Sequence, residues 1–308
     1  MENATIEVMK PGLSTSIQDL GRTGYQQYGM VVAGAMDMFA LQVANILVGN
    51  KHGAAAIEAV LMGPEFRFVK DTVIAVCGAN LSPTLDDEPI QTWKSYRVQK
   101  GQTLKFGKPI DGAYAYIAVS GGITTPKVMG SRSTYAKGGI GNYLSKGDLL
   151  PTGEPNMNRS GRSLHPDLIP NYNDPNKIRV ILGPDEDAFT KEGIHTFLTE
   201  SYKITTQSDR MGTKLEGPPI EHVDGADIIS DAVFPGTIQV PANGQPIVLL
   251  ADRQPTGGYT RIATVITEDL PRIAQSLPGK EIAFEAVSLN VAQELLHRRQ
   301  QLLRLLIP

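Results

Sequence analysis

Between Phe66 and Phe106 turn-forming residues break the chain into short pieces: Gly78, Pro83, Asp86-Asp87, Pro89 and Gly101 separate runs rich in β-branched and aromatic side chains. Long helices cannot form across such interruptions, so the stretch reads as the antiparallel strands of a barrel or sandwich. The whole chain shares the habit. Its 31 glycines and 21 prolines in 308 residues stand somewhat above the roughly 12% of an average protein. A chain of this length can bury a substantial core, as one large domain or two of ordinary size.

The segment Ser230 to Val265 carries the sharpest local pattern. Gly236 to Val240 and Pro246 to Ala251 are two β-type runs joined by Pro241-Ala-Asn-Gly244, whose Asn-Gly predicts a tight hairpin turn. Ile247 to Ala251 is apolar on successive residues, as in a strand buried on both faces or set in a barrel wall. Asp252, Arg253, Gln254, Thr256, Tyr259 and Arg261 then crowd around Pro255-Thr-Gly-Gly258, read as a flexible turn. Polar groups at the exit of a buried strand are either a site or a solvated loop.

Elsewhere the elements follow from the same rules. Ile6 to Met9 is an opening strand, and the Gly- and Ser-rich passage Ser14 to Tyr25 is an ordered loop. Asp37 is placed to cap a helix over Met38 to Val48, which Gly49-Asn50 ends. Asn45 lies on that helix's apolar stripe and must find backbone partners, expected in the preceding loop. Glu58, in apolar surroundings, is either a buried carboxylate paired with an arginine such as Arg22 or, more commonly for its type, the outward residue of a strand. Ser131 to Tyr135 leads into Lys137-Gly-Gly-Ile-Gly141, which serves either to cradle an anion or to turn a barrel loop. Residues 151–177 lack periodicity and read as a linker between an N-terminal domain, 1–150, and a C-terminal one, 178–308. In the second half a helix is expected from about Asp185 to Thr199, a strand over Glu281 to Val287, and an amphipathic helix over Leu289 to Leu306.

Several chemistries are set aside by what the residues lack. A net charge of -3 gives no basic footprint for nucleic acid or an anionic membrane. Cys77 is the sole cysteine and sits in an apolar run, so it reads as a small buried side chain in a protein of the cytoplasm. The five histidines have no metal-ligand spacing, and neither nucleotide-binding fingerprint nor a nucleophile elbow is present. Val8-Met-Lys10 is similar to part of a biotin-accepting sequence, but Pro11 follows the lysine and covalent biotin is not expected. What remains is a set of Arg, Asp, Gln, Ser and Tyr side chains on glycine-bearing loops, suited to clamping small carboxylate, amide or phosphoryl groups.

Those loops, taken together, resemble a known family. Pro11 to Tyr25, Val32-Ala-Gly-Ala-Met-Asp37, Ala44 to Asn50, Ser208-Asp-Arg-Met-Gly212, Ser230 to Val240 and Asp252-Arg-Gln-Pro-Thr-Gly-Gly-Tyr259 are similar to the biotin-dependent carboxyltransferase-like family. That family takes in the C subunit of the ATP-dependent 5-oxoprolinase, the KipA regulator and allophanate hydrolase subunit 2 with the matching part of urea carboxylase. The resemblance implies a mainly β chain with a few helices, folded as two cyclophilin-like β-barrel domains. It implies a KipI-like B subunit and a LamB/YcsF-type A subunit as partners, with ATP used through the enzyme complex. The expected activity is conversion of 5-oxoproline to L-glutamate, with none from this chain alone. The alternatives are a KipA-type antagonist of a kinase inhibitor and a urea carboxyltransferase component. On this resemblance and on loop position, Arg22, Arg210, Asp252 and Gln254 are expected in catalysis. Ser16, Gln18, Asp19, Tyr25, Asn45, Ser131, Arg132, Thr256, Gly257, Gly258 and Tyr259 are expected to bind substrate, in one cleft completed by the partner.

Overall fold

The first two strands, Ala4–Lys10 and Ser14–Gln18, belong to different sheets because Pro11-Gly12 turns the chain between them. The structure, a computed structural model, describes residues 4–175 and 177–307. It divides into two units, one containing Ala33–Tyr172 with the chain before Thr23 and after Arg304, the other Thr23–Val32 and Asn173–Arg304.

In the first unit one sheet runs in the order Leu149–Pro151, Ala4–Lys10, Glu65–Phe68, Thr103–Lys105, Thr84–Leu85 and Glu88–Pro89. The other runs Ser14–Gln18, Ala56–Val60, Asp111–Val119, Thr72–Asn80 and Lys94–Val98. Alternation along the strands sends Ile6, Val8, Phe66 and Phe68 from the one, and Ile57, Ile74, Val76 and Ile117 from the other, into a shared core. Helix α1, Met38–Leu47, packs on Asp111–Val119 and Thr72–Asn80, covering the opposite face of the second sheet. Asp37 caps it as the sequence predicts, its Oδ1 accepting from the Ala40 N–H at 3.0 Å.

That covered face corrects the expectation for Glu58. The chain leading into α1 lies against this face, where the Met36 N–H reaches the Glu58 carboxylate, so Glu58 does not point outward; it is 1% exposed. Its Oε2 accepts from the Tyr116 hydroxyl at 2.8 Å and the Met36 N–H at 3.1 Å. Nor is the segment from Pro151 a bare tether. Ser95 bonds the Arg159 and Arg162 carbonyls, and the Tyr172 hydroxyl donates to Asp37 Oδ2 at 2.6 Å, which holds this stretch on the first unit as far as Tyr172.

The second unit is a closed seven-stranded barrel: Ile178–Leu182, Arg261–Val265, Thr237–Gln239, Ile247–Leu249, Gly212–Glu216, Ser201–Ile204 and Glu281–Ala286. It closes through parallel pairing of the first and last of these. The expected hairpin is present, with Ile238 opposite Val248. The helix expected from Asp185 is instead a single turn, Glu186–Ala188, followed by α2, Lys191–Thr199. Thr190 breaks the run because its hydroxyl accepts from the Gly193 N–H at 3.0 Å, starting a new helix there. Phe197 of α2 stacks on Phe284 with ring centroids 4.6 Å apart, fixing the helix to the barrel. The two other helices among the described residues are α3, Leu270–Gln275, and α4, Leu289–Leu306. None is long and apolar enough to cross a membrane. The chain is thus mainly β, as expected.

Candidate functional site

In the first unit the polar loops meet at Asp19. It sits at the end of the strand Ser14–Gln18, and its carboxylate takes four donors: the Ser131 and Ser133 hydroxyls at 2.6 Å each, the Arg132 N–H at 2.7 Å and the Gly21 N–H at 2.9 Å. Burial alone would raise this carboxyl. The four hydrogen bonds outweigh it and hold Asp19 below the ordinary carboxylate range. Gln18 spans to Ser16 Oγ at 3.0 Å and the Thr134 carbonyl at 3.2 Å, and the buried Arg22 donates through Nη2 to the Ser133 carbonyl. Arg132 turns its Nε to the Thr125 carbonyl at 2.7 Å.

Beside this cluster opens a cavity of about 730 Å³, bordered by Asp19, Asn50, His52, Lys127, Arg132 and Glu154. Structure therefore brings Ser16, Gln18, Asp19, Arg22, Ser131 and Arg132 into one neighbourhood. Asn45 stands apart from their chemistry. It is fully buried in α1, its amide donates to the Leu41 carbonyl at 3.2 Å and the Ala54 carbonyl at 2.8 Å, and its oxygen accepts from Asn50. Its partners are thus its own helix and the loop that follows, not the loop before. Tyr25 is exposed at the start of the turn Gln26–Tyr28.

In the second unit Arg210 and Asp252 form a bidentate pair, both bonds 3.0 Å, with little solvent on either side chain. Asp252 also donates its N–H to the Arg210 carbonyl at 2.8 Å, so backbone and side chain register the two loops together. Gln254 projects into solvent. The expected flexible turn over Pro255 to Gly258 is not one. Thr256–Tyr259 is a strand paired antiparallel with Asp227–Ala232, because that second segment supplies the ladder partner sequence reading overlooked. Gly257 leaves room for Gln239: a Cβ there would stand 2.3 Å from its Nε2, which donates to the Tyr259 carbonyl at 3.2 Å, so the Gln239 amide would have to shift. Gly258 is half-buried beside it, and Tyr259 keeps its ring exposed.

Arg261, just past this ribbon, belongs to the polar crowd seen in the sequence but is not among the residues expected in catalysis or substrate binding. Its Nε and Nη2 grip Asp185 at 2.7 and 3.0 Å, and its Nη1 reaches Asp231 at 2.8 Å. These hydrogen bonds, chiefly from Asp185, drive its guanidinium above its ordinary pKa. The only sequence signal is one more arginine in a polar segment. Among the described residues no group of three His, Cys, Asp or Glu side chains could hold a metal ion. Lys10, in the stretch similar to a biotin acceptor, pairs with Glu65 at 3.0 Å.

Comparison with known proteins assigns this two-sheet unit and seven-stranded barrel to the carboxyltransferase class. The family described as carboxyltransferase domain, subdomain A and B, matches residues 28–286. The chain belongs to that family. It is 38% identical to the 5-oxoprolinase C subunit of Escherichia coli (strain K12), covering 93% of this chain and 93% of the relative. With the corresponding 5-oxoprolinase C subunit of Haemophilus influenzae the identity is 36%, over 96% and 95%. The crystal structure of the K. lactis urea amidolyase superposes with a TM-score of 0.88 at 32% identity; the match spans 99% of this chain but 20% of that larger one.

Proposed function

We propose that the chain is the C subunit of an ATP-dependent 5-oxoprolinase, which acts with a KipI-like B subunit to activate 5-oxoproline for hydrolysis to L-glutamate, completed by a LamB/YcsF-type A subunit. The observation that carries this reading is coverage: the oxoprolinase relative is matched across 93% of its own length, whereas the urea amidolyase is matched over a fifth of its structure. The site chemistry supports it. A cyclic amide with a carboxylate needs hydrogen-bond donors at the amide oxygen and a positive group for the carboxylate, and both units present such groups on ordered loops. In this reading Asp19, Arg132 and the Arg210–Asp252 pair shape the substrate loops, and ATP is a substrate of the complex.

The test is reconstitution. The purified chain is mixed with its KipI-like and LamB/YcsF-type partners, and glutamate release from 5-oxoproline is followed with and without ATP. ATP-dependent release that disappears when this chain is omitted supports the reading. Release no greater than in the omission controls rejects it, and substrate-independent binding to the KipI-like partner would then favour a regulatory role.

A further inference from the structure

Three arginines stand around the ribbon and the barrel strand that precedes it, and the fold treats them unequally. Arg210 is matched by Asp252, and Arg261 by Asp185 and Asp231. Arg253, next in sequence to Asp252, is only 8% exposed and meets no carboxylate among the described residues. Its Nε donates to the Val233 carbonyl at 3.3 Å and its Nη1 to the Leu250 carbonyl at 3.2 Å. Both are neutral acceptors at long range. Nη2 donates to no protein group, yet it is not sealed from solvent.

A buried cation without a counter-charge is costly, because two carbonyl dipoles do not replace the hydration it has lost. That loss brings the guanidinium down to about 10, still protonated at neutral pH. The neighbouring acids cannot relieve it: the Asp252 carboxylate faces the Arg210 fork, and Asp231 faces Arg261. Arg253 is also locked in place, since Val233 and Leu250 hold two of its nitrogens and the Arg261 Nη1 binds the adjacent Ala232 carbonyl at 3.1 Å. The result is a buried positive charge, held by two long hydrogen bonds, whose outer nitrogen donates to no protein group.

We infer that Nη2 of Arg253 is the receptor for a ligand carboxylate and, resting on the oxoprolinase reading, that this is the carboxylate of 5-oxoproline. A carboxylate oxygen can accept a charge-assisted hydrogen bond from this nitrogen.

The test uses the assembled complex, wild type against Arg253→Gln and Arg253→Lys, with kcat and KM for 5-oxoproline and the melting temperature measured together. Loss of a charged hydrogen bond to the substrate raises KM by about 10- to 100-fold in Arg253→Gln, with Arg253→Lys intermediate and kcat less affected. Unchanged KM, or a fall in kcat at unchanged KM, overturns the inference and leaves Arg253 a clamp between two carbonyls. Wild-type enzyme gives a second reading that needs no variant: 2-pyrrolidinone, the same ring without the carboxylate, competes at least about tenfold more weakly than 5-oxoproline binds, or not at all. Equal affinity overturns the inference. If the wild-type complex releases no glutamate, the proposed function fails by itself. Calorimetric titration with 5-oxoproline then decides this point: binding lost in Arg253→Gln supports it, and no binding to wild type, or equal binding to both, overturns it.

Discussion

Arg210 and Asp252, 42 residues apart in sequence, close a two-bond ring with Nε on Oδ2 and Nη2 on Oδ1, each at 3.0 Å. Their side chains are 11% and 9% exposed, so removing one partner takes the opposite charge away from the other where little water can replace it. Single substitutions, Asp252→Leu or Arg210→Met, are expected to destabilise the chain by about 3–5 kcal/mol. The double variant Arg210→Met/Asp252→Leu recovers most of that loss, because both members of the buried pair are then replaced by apolar side chains. Urea unfolding of the three variants checks it. Additive losses in the double variant would show that the two residues do not act as a pair.

Asp19 ties its own loop to residues 131–133 through one carboxylate, and its lowered pKa fixes the sign of its pH dependence. A folded-state pKa below the unfolded one means stability that is present above the ordinary carboxylate value and is lost as pH falls through the folded one. Asp19 therefore contributes fully near neutral pH and progressively less below about pH 4. Asp19→Asn is expected to cost about 1–3 kcal/mol at pH 7 and to flatten the acid limb of the stability curve. Melting temperatures from pH 2 to 7 for both proteins measure this. An acid limb of equal slope in the variant argues against the assignment.

What could be read from sequence was local. Asp37 before an apolar periodic run specifies a cap and a helix start, and Asn-Gly between two β-type runs specifies the Thr237–Gln239/Ile247–Leu249 hairpin; both are present. Pairing at a distance left no such mark. Pro255 to Gly258 has the composition of a turn, and only the distant segment Asp227–Ala232 makes a strand of Thr256–Tyr259. Glu58 carried the same limitation, because burial of its face depends on the chain leading into α1, elsewhere in the sequence. The arginines show it most plainly. Arg210, Arg253 and Arg261 look alike as letters in polar stretches, and whether a carboxylate meets each is settled by tertiary packing.

Gly78 bears on the second sheet. It has φ +84, and a Cβ on it would lie 2.4 Å from the Tyr114 carbonyl oxygen, a backbone atom that cannot swing aside. The pairing of Asp111–Val119 with Thr72–Asn80 is irregular between Asp111 and Ala115, where Gly78 sits opposite Ala115. Gly78→Ala combines left-handed strain with overpacking and is expected to cost about 2–4 kcal/mol. Chemical denaturation checks it, and a loss under about 0.5 kcal/mol, the range of an ordinary surface substitution, would contradict the close approach.

Cys77 is buried on the same strand, where burial, reinforced by the Asp37 carboxylate, pushes its thiol well above the ordinary value. The reactive thiolate is therefore scarce and inaccessible. Native protein is expected to react with a thiol reagent at neutral pH only as fast as it unfolds, reaching one equivalent promptly in denaturant. Rapid reaction of the folded chain would contradict the packing around this strand.

Tyr116 joins the second sheet to the start of α1: its hydroxyl donates to Glu58 Oε2 and accepts from the Asp37 N–H, both at 2.8 Å. Burial first, then the Glu58 and Asp37 carboxylates, raise its phenol well above the usual value. Ionisation therefore favours the unfolded chain, and the stability it contributes is complete below about pH 10 and lost as pH rises beyond it. Tyr116→Phe removes one buried donor and one buried acceptor at a cost of about 1–3 kcal/mol. It also makes the alkaline fall in stability shallower than in wild type. Denaturation at pH 7, 9, 10 and 10.5 measures both effects. A variant that is less stable at pH 7 but falls with wild-type slope above pH 10 would assign the alkaline titration to Tyr172, which is raised by burial and by Asp37 in the same way.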